Sequence, residues 1–212
     1  MKKSIVPFLA IFMAVSALSC KDLEKDIDDI TNPAPTSENI GSTHYLNEDG
    51  IKIVLPDGFK KLSAYEYEQI LKKIAPKKQL DAELKRLKEQ RTMDGNFYLF
   101  FDEASGSTYT ANTIPYTPIS RKDATNLLSL IRKNQEEFLE DKNTNVIKVT
   151  AKYSAGVSAE VFKAIFKVDN TKTKTSYHQT GYFISSNDKT VMINLTTRDL
   201  VDFDPYIQKM VF

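Results

Sequence analysis

The 212-residue sequence predicts an α+β fold: a mostly antiparallel sheet with helices on both faces, an α/β/α sandwich. Three observations predict it. Alternating apolar runs such as Phe162-Ala164-Phe166-Val168 and Val191-Ile193-Leu195 are separated by short Asn/Asp/Ser segments, the pattern of antiparallel hairpins. Helical spacing interrupts these runs twice, at Leu80-Leu84-Leu87 and at Ala124-Leu127-Leu128-Ile131. The resulting order is strand, helices, strands, helix, strands, helix, and the apolar stripe of each helix must be buried against the sheet.

The chain opens with a segment outside that fold. Lys2 and Lys3 precede an apolar run from Ile5 to Leu18, and Ala17-Leu18-Ser19 leads to Cys20, the only cysteine. A positive start, a short apolar stretch and a small residue before the cut describe a secretory signal over residues 1–19. A membrane span needs about 20 apolar residues, which this run does not supply. Residues 20–44 then read as a tether. Eight acids fall between 21 and 49, with Pro33, Pro35 and Gly41 as breakers, and too little apolar surface is present to offset the entropy of ordering. Leu23, Ile27 and Ile30 have the spacing of a short helix that would need a partner.

Residues 45–212 read as one domain without internal repeats. Ile51, Ile53 and Leu55 alternate as a strand closed by Pro56-Asp57-Gly58. Ser63 and Glu66 have capping-box spacing and open a helix through Ile70, Leu71 and Ile74, interrupted at Pro76. A second helix carries Leu80, Leu84 and Leu87 and ends near Asp94-Gly95. Phe97 to Phe101 is apolar on both faces, as a strand covered on both sides would be. After a turn at 103–107, a more polar strand holds Tyr109 and Ala111. Ser120 and Asp123 then start a long helix whose stripe runs on to Phe138 and Leu139.

Three strands follow it: one with Ile147, Val149, Ala151 and Tyr153 on a single face, the Phe162 strand, and one from Thr175 to Ile184. Residues 185–188 connect the last of these to Val191. Asp204-Pro205 begins a terminal helix, capped by Asp204, with Ile207, Met210 and Val211 inward.

Two stretches carry resemblances. Ala17-Leu18-Ser19-Cys20 resembles the lipobox of bacterial lipoproteins, which implies that Cys20 is acylated (palmitate included) and becomes the mature N-terminus. The chain would then be held by membrane lipid without spanning it. Lys21-Asp22-Leu23-Glu24-Lys25-Asp26-Ile27-Asp28-Asp29 resembles the acid-rich export signal of Bacteroidota surface lipoproteins. It implies an outer-membrane location with the domain exposed at the cell surface.

Over about 45–212, Asp49-Gly50-Ile51 leading to Leu55-Pro56-Asp57-Gly58-Phe59, the closing strands Gly181-Tyr182-Phe183 and Val191 to Thr196, and the short last helix resemble the PsbP-like fold. Members of that fold mostly serve as binding or accessory modules, and the resemblance carries no catalytic residue across. The helical insert at 77–91 and the polar strand near 107–114 depart from the pattern.

The residues themselves point away from chemistry. Charge is balanced, 29 Lys+Arg against 28 Asp+Glu, so no general nucleic-acid affinity is expected. One cysteine excludes a disulfide framework and a thiolate metal cluster. His44, in the tether, and His178, in a strand, have no second histidine at ligand spacing. Asp199, Asp202 and Asp204 lack the spacing and glycine turn of a calcium loop. No nucleophile elbow or phosphate loop occurs. Ten bases and five acids between 60 and 91 suit either anionic lipid headgroups, a surface polysaccharide, the acidic tether itself, or a plain solvated helix face with Glu68–Lys72 and Asp81–Lys85 pairs. Tyr109, Tyr116 and Tyr177 either line a groove or pack in the core.

The sequence therefore predicts a monomeric, non-enzymatic, lipid-anchored envelope module. It would bind an envelope protein or polysaccharide and take no cofactor, metal or nucleic acid. The competing readings are a lipid-anchored enzyme with scattered residues and an envelope assembly factor or chaperone.

Overall fold

The computed structural model describes residues 28–29, 41–75, 77–138 and 143–212, with the backbone alone at 28–29, 78–79, 82 and 134–138. The expected signal segment over 1–19, Cys20, the acids at 22–26 and Leu139 lie outside the described residues. The strands are β1 (Asp28–Asp29), β2 (Ser42–Leu46), β3 (Ile51–Leu55), β4 (Lys60–Leu62), β5 (Asn96–Asp102), β6 (Ser107–Pro115), β7 (Thr144–Ala155), β8 (Ala159–Asn170), β9 (Thr175–Ser186) and β10 (Lys189–Thr197). The helices are α1 (Ala64–Ile74), α2 (Lys77–Arg91), α3 (Arg121–Phe138) and α4 (Asp204–Ile207). Eight strands form one sheet in the order β1-β7-β8-β9-β10-β6-β5-β4, antiparallel except for β1 beside β7, and β2-β3 is a separate hairpin.

Register assigns the two faces. Leu99, Thr110, Asn194, Gly181, Ala164 and Ala151 lie in one row from β5 to β7. Side chains of one row share a face. Leu99 packs with Tyr67, Leu71 and Leu87 of α1 and α2, while Ala164 and Ala151 pack with Ala124 and Leu128 of α3. The next row includes Phe100, Tyr109 and Leu195 and points the other way, onto Leu46, Ile51, Ile53 and Leu55 of the hairpin. Burying each such apolar side chain contributes roughly 1.5–3 kcal/mol, so the hairpin is a structural layer rather than an appendage.

The expected α+β architecture is present, with a particular distribution. All three long helices cover one face, and the hairpin with the four-residue α4 covers the other. Ser63 caps α1 through the expected capping box: its hydroxyl accepts from Glu66 N, and Glu66 Oε2 accepts from Ser63 N at 2.7 Å. Glu68–Lys72 pairs at 2.7 Å as its spacing predicts. The polar strand near 107–114 is β6. Its threonines are buried because it lies inside the sheet, where Thr110 accepts from Gln90 of α2 and donates to Asn194 O.

Four local readings are corrected. A β-bulge between Lys148 and Thr150 shifts the register of β7, so Ile147 stands opposite Lys167 on the hairpin face while Ala151 and Tyr153 turn to α3. One extra residue reverses every side chain beyond it. His44 belongs to β2, opposite Ile53, rather than to a tether; β2 starts at Ser42. Asp28 and Asp29, also placed in the tether, form β1 beside Lys152 and Tyr153. Finally, the N-cap of α4 is Phe203, which makes no side-chain cap bond, and Val211 is 51% exposed because it leaves the helix to bridge Lys52 by backbone pairing. Ile207 and Met210 pack inward as expected.

Candidate functional site

The turn between β2 and β3 carries Glu48 and Asp49 across the sheet to β5 and β6. Asp49 Oδ2 accepts from Tyr98 Oη at 2.6 Å, Thr113 Oγ1 at 2.6 Å and Asn96 Nδ2 at 3.2 Å. Lys189 Nζ donates to the Asp49 carbonyl and lies 3.9 Å from its Oδ1. Burial alone would raise the Asp49 pKa, but the three hydrogen bonds and the Lys189 charge outweigh it and hold the carboxyl below the usual aspartate range. Tyr98 Oη also reaches Glu48 Oε2 at 2.9 Å. Burial, with the two acids beside it, pushes the phenol pKa up, so Tyr98 stays protonated and donates. This network clamps the hairpin to the sheet.

Beside the clamp lies an open cleft of about 570 Å³ at the edge of the sheet. Local sequence creates it. β4 stops at Leu62 because Ser63 caps α1 and turns the chain away, while β5 continues to Asn96. Lys61 stands over the Tyr98 ring, with Nζ 4.9 Å from its centroid. Arg91, the last residue of α2, lines the far side, with Ser63, Ala64 and Phe97 between. The cleft thus offers two cations, an aromatic floor and the positive end of a helix. A smaller groove of about 360 Å³ lies between the hairpin and the C-terminal segment, at Lys52, Val54 and Met210.

The other residues singled out in the sequence do not converge here. His44 packs edge-on to Phe100 at 5.0 Å, its buried Nε2 has no partner among the described residues, and burial lowers its pKa. His178 lies on β9 opposite Lys167 and Thr197, with a buried Nδ1 that has no partner among the described residues. Among the described residues no three His, Cys, Asp or Glu side chains are placed to hold a metal. Asp202 and Asp204 instead converge on Lys163, a 5%-exposed lysine that reaches Asp204 Oδ1 at 2.7 Å and Asp202 Oδ1 at 3.5 Å. Tyr182 Oη donates to the same Asp204 oxygen at 2.8 Å. Asp199 accepts the Thr197 hydroxyl on its carbonyl at 2.7 Å.

The three tyrosines share no groove. Tyr109 is buried on the hairpin face, Tyr116 is 47% exposed, and Tyr177 is a partly buried β9 residue whose phenol pKa burial raises, with Glu83 and Arg86 nearby. Two features escaped the sequence. Lys163 sits where alternation along β8 promises an exposed residue, and the cleft arises from two strands of unequal length. The surplus of bases between 60 and 91 was the one signal pointing toward it.

No protein-family model and no curated protein sequence matches this chain. Structural neighbours do. The solution structure of cyanobacterial PsbP (CyanoP) from Synechocystis sp. PCC 6803 superposes with a TM-score of 0.52 at 11% identity, over 85% of this chain and 99% of that one. A crystal structure from Bacteroides thetaiotaomicron VPI-5482 aligns with a TM-score of 0.37 at 12% identity, over 81% of this chain and 48% of that one. The domain therefore has the PsbP-like α+β fold, as Asp49-Gly50-Ile51 and the closing strands led one to expect; at this identity the likeness is one of fold.

Proposed function

We propose that the protein is a lipid-anchored module of the bacterial envelope, displayed at the cell surface, that binds an envelope partner and performs no chemistry of its own. The observation that carries the anchor is Cys20, the only cysteine, directly behind an apolar run and a small residue. Acyl chains contribute about 0.8 kcal/mol per buried methylene, enough with several chains for permanent attachment. The acids around the cleft support binding rather than catalysis: Asp49 is occupied by three donors, and the pKa values of both Asp49 and Glu48 are lowered, away from that of a general base. The accessory role attached to the PsbP-like fold points the same way.

Mass spectrometry of the N-terminus of the native protein tests the anchor. Acylated Cys20 is expected, and an unmodified cysteine behind an intact signal segment would defeat it. Display is tested by protease shaving of intact cells, with Asp22, Glu24, Asp26, Asp28 and Asp29 changed together to Asn. Wild type should be digested and the variant protected; protection of wild type until lysis would place the domain in the periplasm.

A further inference from the structure

We propose that the open edge of β5 is a strand-addition site for an extended acidic peptide segment, seated in the cleft beside Phe97 between Lys61 and Arg91. The inference rests on reading the cleft as a binding site and names the class of partner it takes.

The backbone supplies the first argument. β4 pairs with β5 only at Leu99, Phe100 and Phe101, although β5 begins at Asn96. Asn96 N donates to Thr113 Oγ1 at 3.3 Å, and Asn96 O lies 3.5 Å from the same oxygen, whose proton goes to Asp49, so both backbone groups of Asn96 point toward β6. These directions alternate along a strand. The N–H and C=O of Phe97 therefore point the other way, into the cleft, where β4 would have continued had Ser63 not begun a helix. Among the described residues, Asn96, Phe97 and Tyr98 have strand partners on the β6 side alone. An open edge of this kind is a template for another strand, and peptide recognition by β-augmentation uses it.

Charge supplies the second argument. Side chains of an added strand project alternately to the two faces. On the hairpin face one of them meets Lys61, and on the helix face the next meets Arg91, which has no ion-pair or hydrogen-bond partner among the described residues. The N–H groups of Ala64 and Tyr65, in the first turn of the eleven-residue α1, remain uncapped because the Ser63 hydroxyl serves Glu66. Glu48 is the one acid on the rim; its carboxylate lies 2.9 Å from Tyr98 Oη and its charge acts on Lys61, which leaves Arg91 as the cation without a counter-charge among the described residues.

The third argument is a precedent in the same sheet. At the opposite edge, Asp28-Asp29 already lies as a strand beside Lys152 and Tyr153. Two adjacent acids in extended conformation are therefore an accepted edge strand of this fold.

The test titrates the isotope-labelled full chain, in detergent micelles, with an end-blocked hexapeptide of sequence Thr-Val-Asp-Asp-Val-Thr. Backbone shifts should centre on residues 95–99, and exchange of the Phe97 amide with solvent should slow on saturation. The same peptide with two lysines in place of the aspartates should bind about tenfold more weakly, and Lys61→Glu with Arg91→Glu should invert that preference. N-methylation of alternate peptide amides should abolish binding. Phe97→Pro removes the outward donor, and because that variant risks misfolding the charge-reversed protein is the decisive partner to it. Shifts centred elsewhere, an N-methylated peptide that binds equally well, or no saturation at millimolar peptide would each overturn the strand site. None of these results touches the acyl group on Cys20, so the anchor stands or falls separately.

Discussion

Lys163 and Asp204 form a 2.7 Å ion pair beneath the C-terminal segment, with the lysine side chain 6% and the carboxylate 26% exposed. Asp204 is held a second time by Tyr182 Oη, and Lys163 Nζ lies 5.4 Å from the Tyr182 ring centroid. The pair ties α4 to β8 and β9, and α4 in turn brings Ile207 and Met210 onto the hairpin core.

Removing one partner should cost more than removing both. Asp204→Ala leaves Lys163 buried beside the more exposed Asp202 alone, and breaking a buried pair typically costs about 3–5 kcal/mol. Lys163→Met combined with Asp204→Ala should regain a good part of that loss. Chemical denaturation of the single and double variants measures it, and strictly additive losses would show that the pair is not coupled.

Deleting 204–212 should leave the domain unfolded or insoluble. Ile207, Met210 and Phe212 pack against the core, and each large apolar truncation costs about 2–5 kcal/mol against a total stability of about 5–15 kcal/mol. Cooperative unfolding of the truncated chain at the wild-type temperature would contradict this.

Asp49 predicts an acid limb of stability. Its pKa is lowered in the folded state, so its contribution is complete above the unfolded value of about 3.9 and is lost as pH falls through the lower folded value. Asp49→Asn should reduce stability at neutral pH and flatten the fall below about pH 4. Thermal melts across that range distinguish this from a simple loss of packing, which would shift the curve equally at every pH.

Gly95→Ala should fail. The residue has φ +93°, and an added Cβ would lie 1.6 Å from the Thr113 carbonyl oxygen. Only glycine adopts that conformation without strain, and here the backbone itself blocks the space. A large fall in melting temperature is expected, together with weaker binding in the adjoining cleft.

Ser63→Ala is the mild counterpart. It removes the α1 cap and should cost about 1 kcal/mol, with Glu66→Gln costing less because an amide still reaches Ser63 N. Urea midpoints of the two variants rank them.

Much of this fold was legible in the sequence because its signals are local. The Ser63–Glu66 box, the Leu80-Leu84-Leu87 stripe and the alternation along β8 and β10 each depend on residues a few positions apart, so periodicity and capping chemistry suffice to read them. What escaped were matters of register, pairing and length. The bulge that parts Ile147 from Ala151 is one unpaired residue, invisible to an alternating pattern. β2 is short and polar at its start, and His44 and Leu46 become core neighbours only once the hairpin lies on Phe100. Lys163 reads as a surface lysine until Asp204, 41 residues away, closes over it.

The sequence by itself determined the anchor expectation, the α+β class and the order of its elements, since each rests on the chemistry of neighbouring residues. Tertiary structure alone decided that the long helices share one face and that Asp49 clamps the hairpin. It also decided that β5 outruns β4 to open a cationic cleft at Phe97, because partners far apart in the chain and the edge of a sheet exist only after the strands have paired.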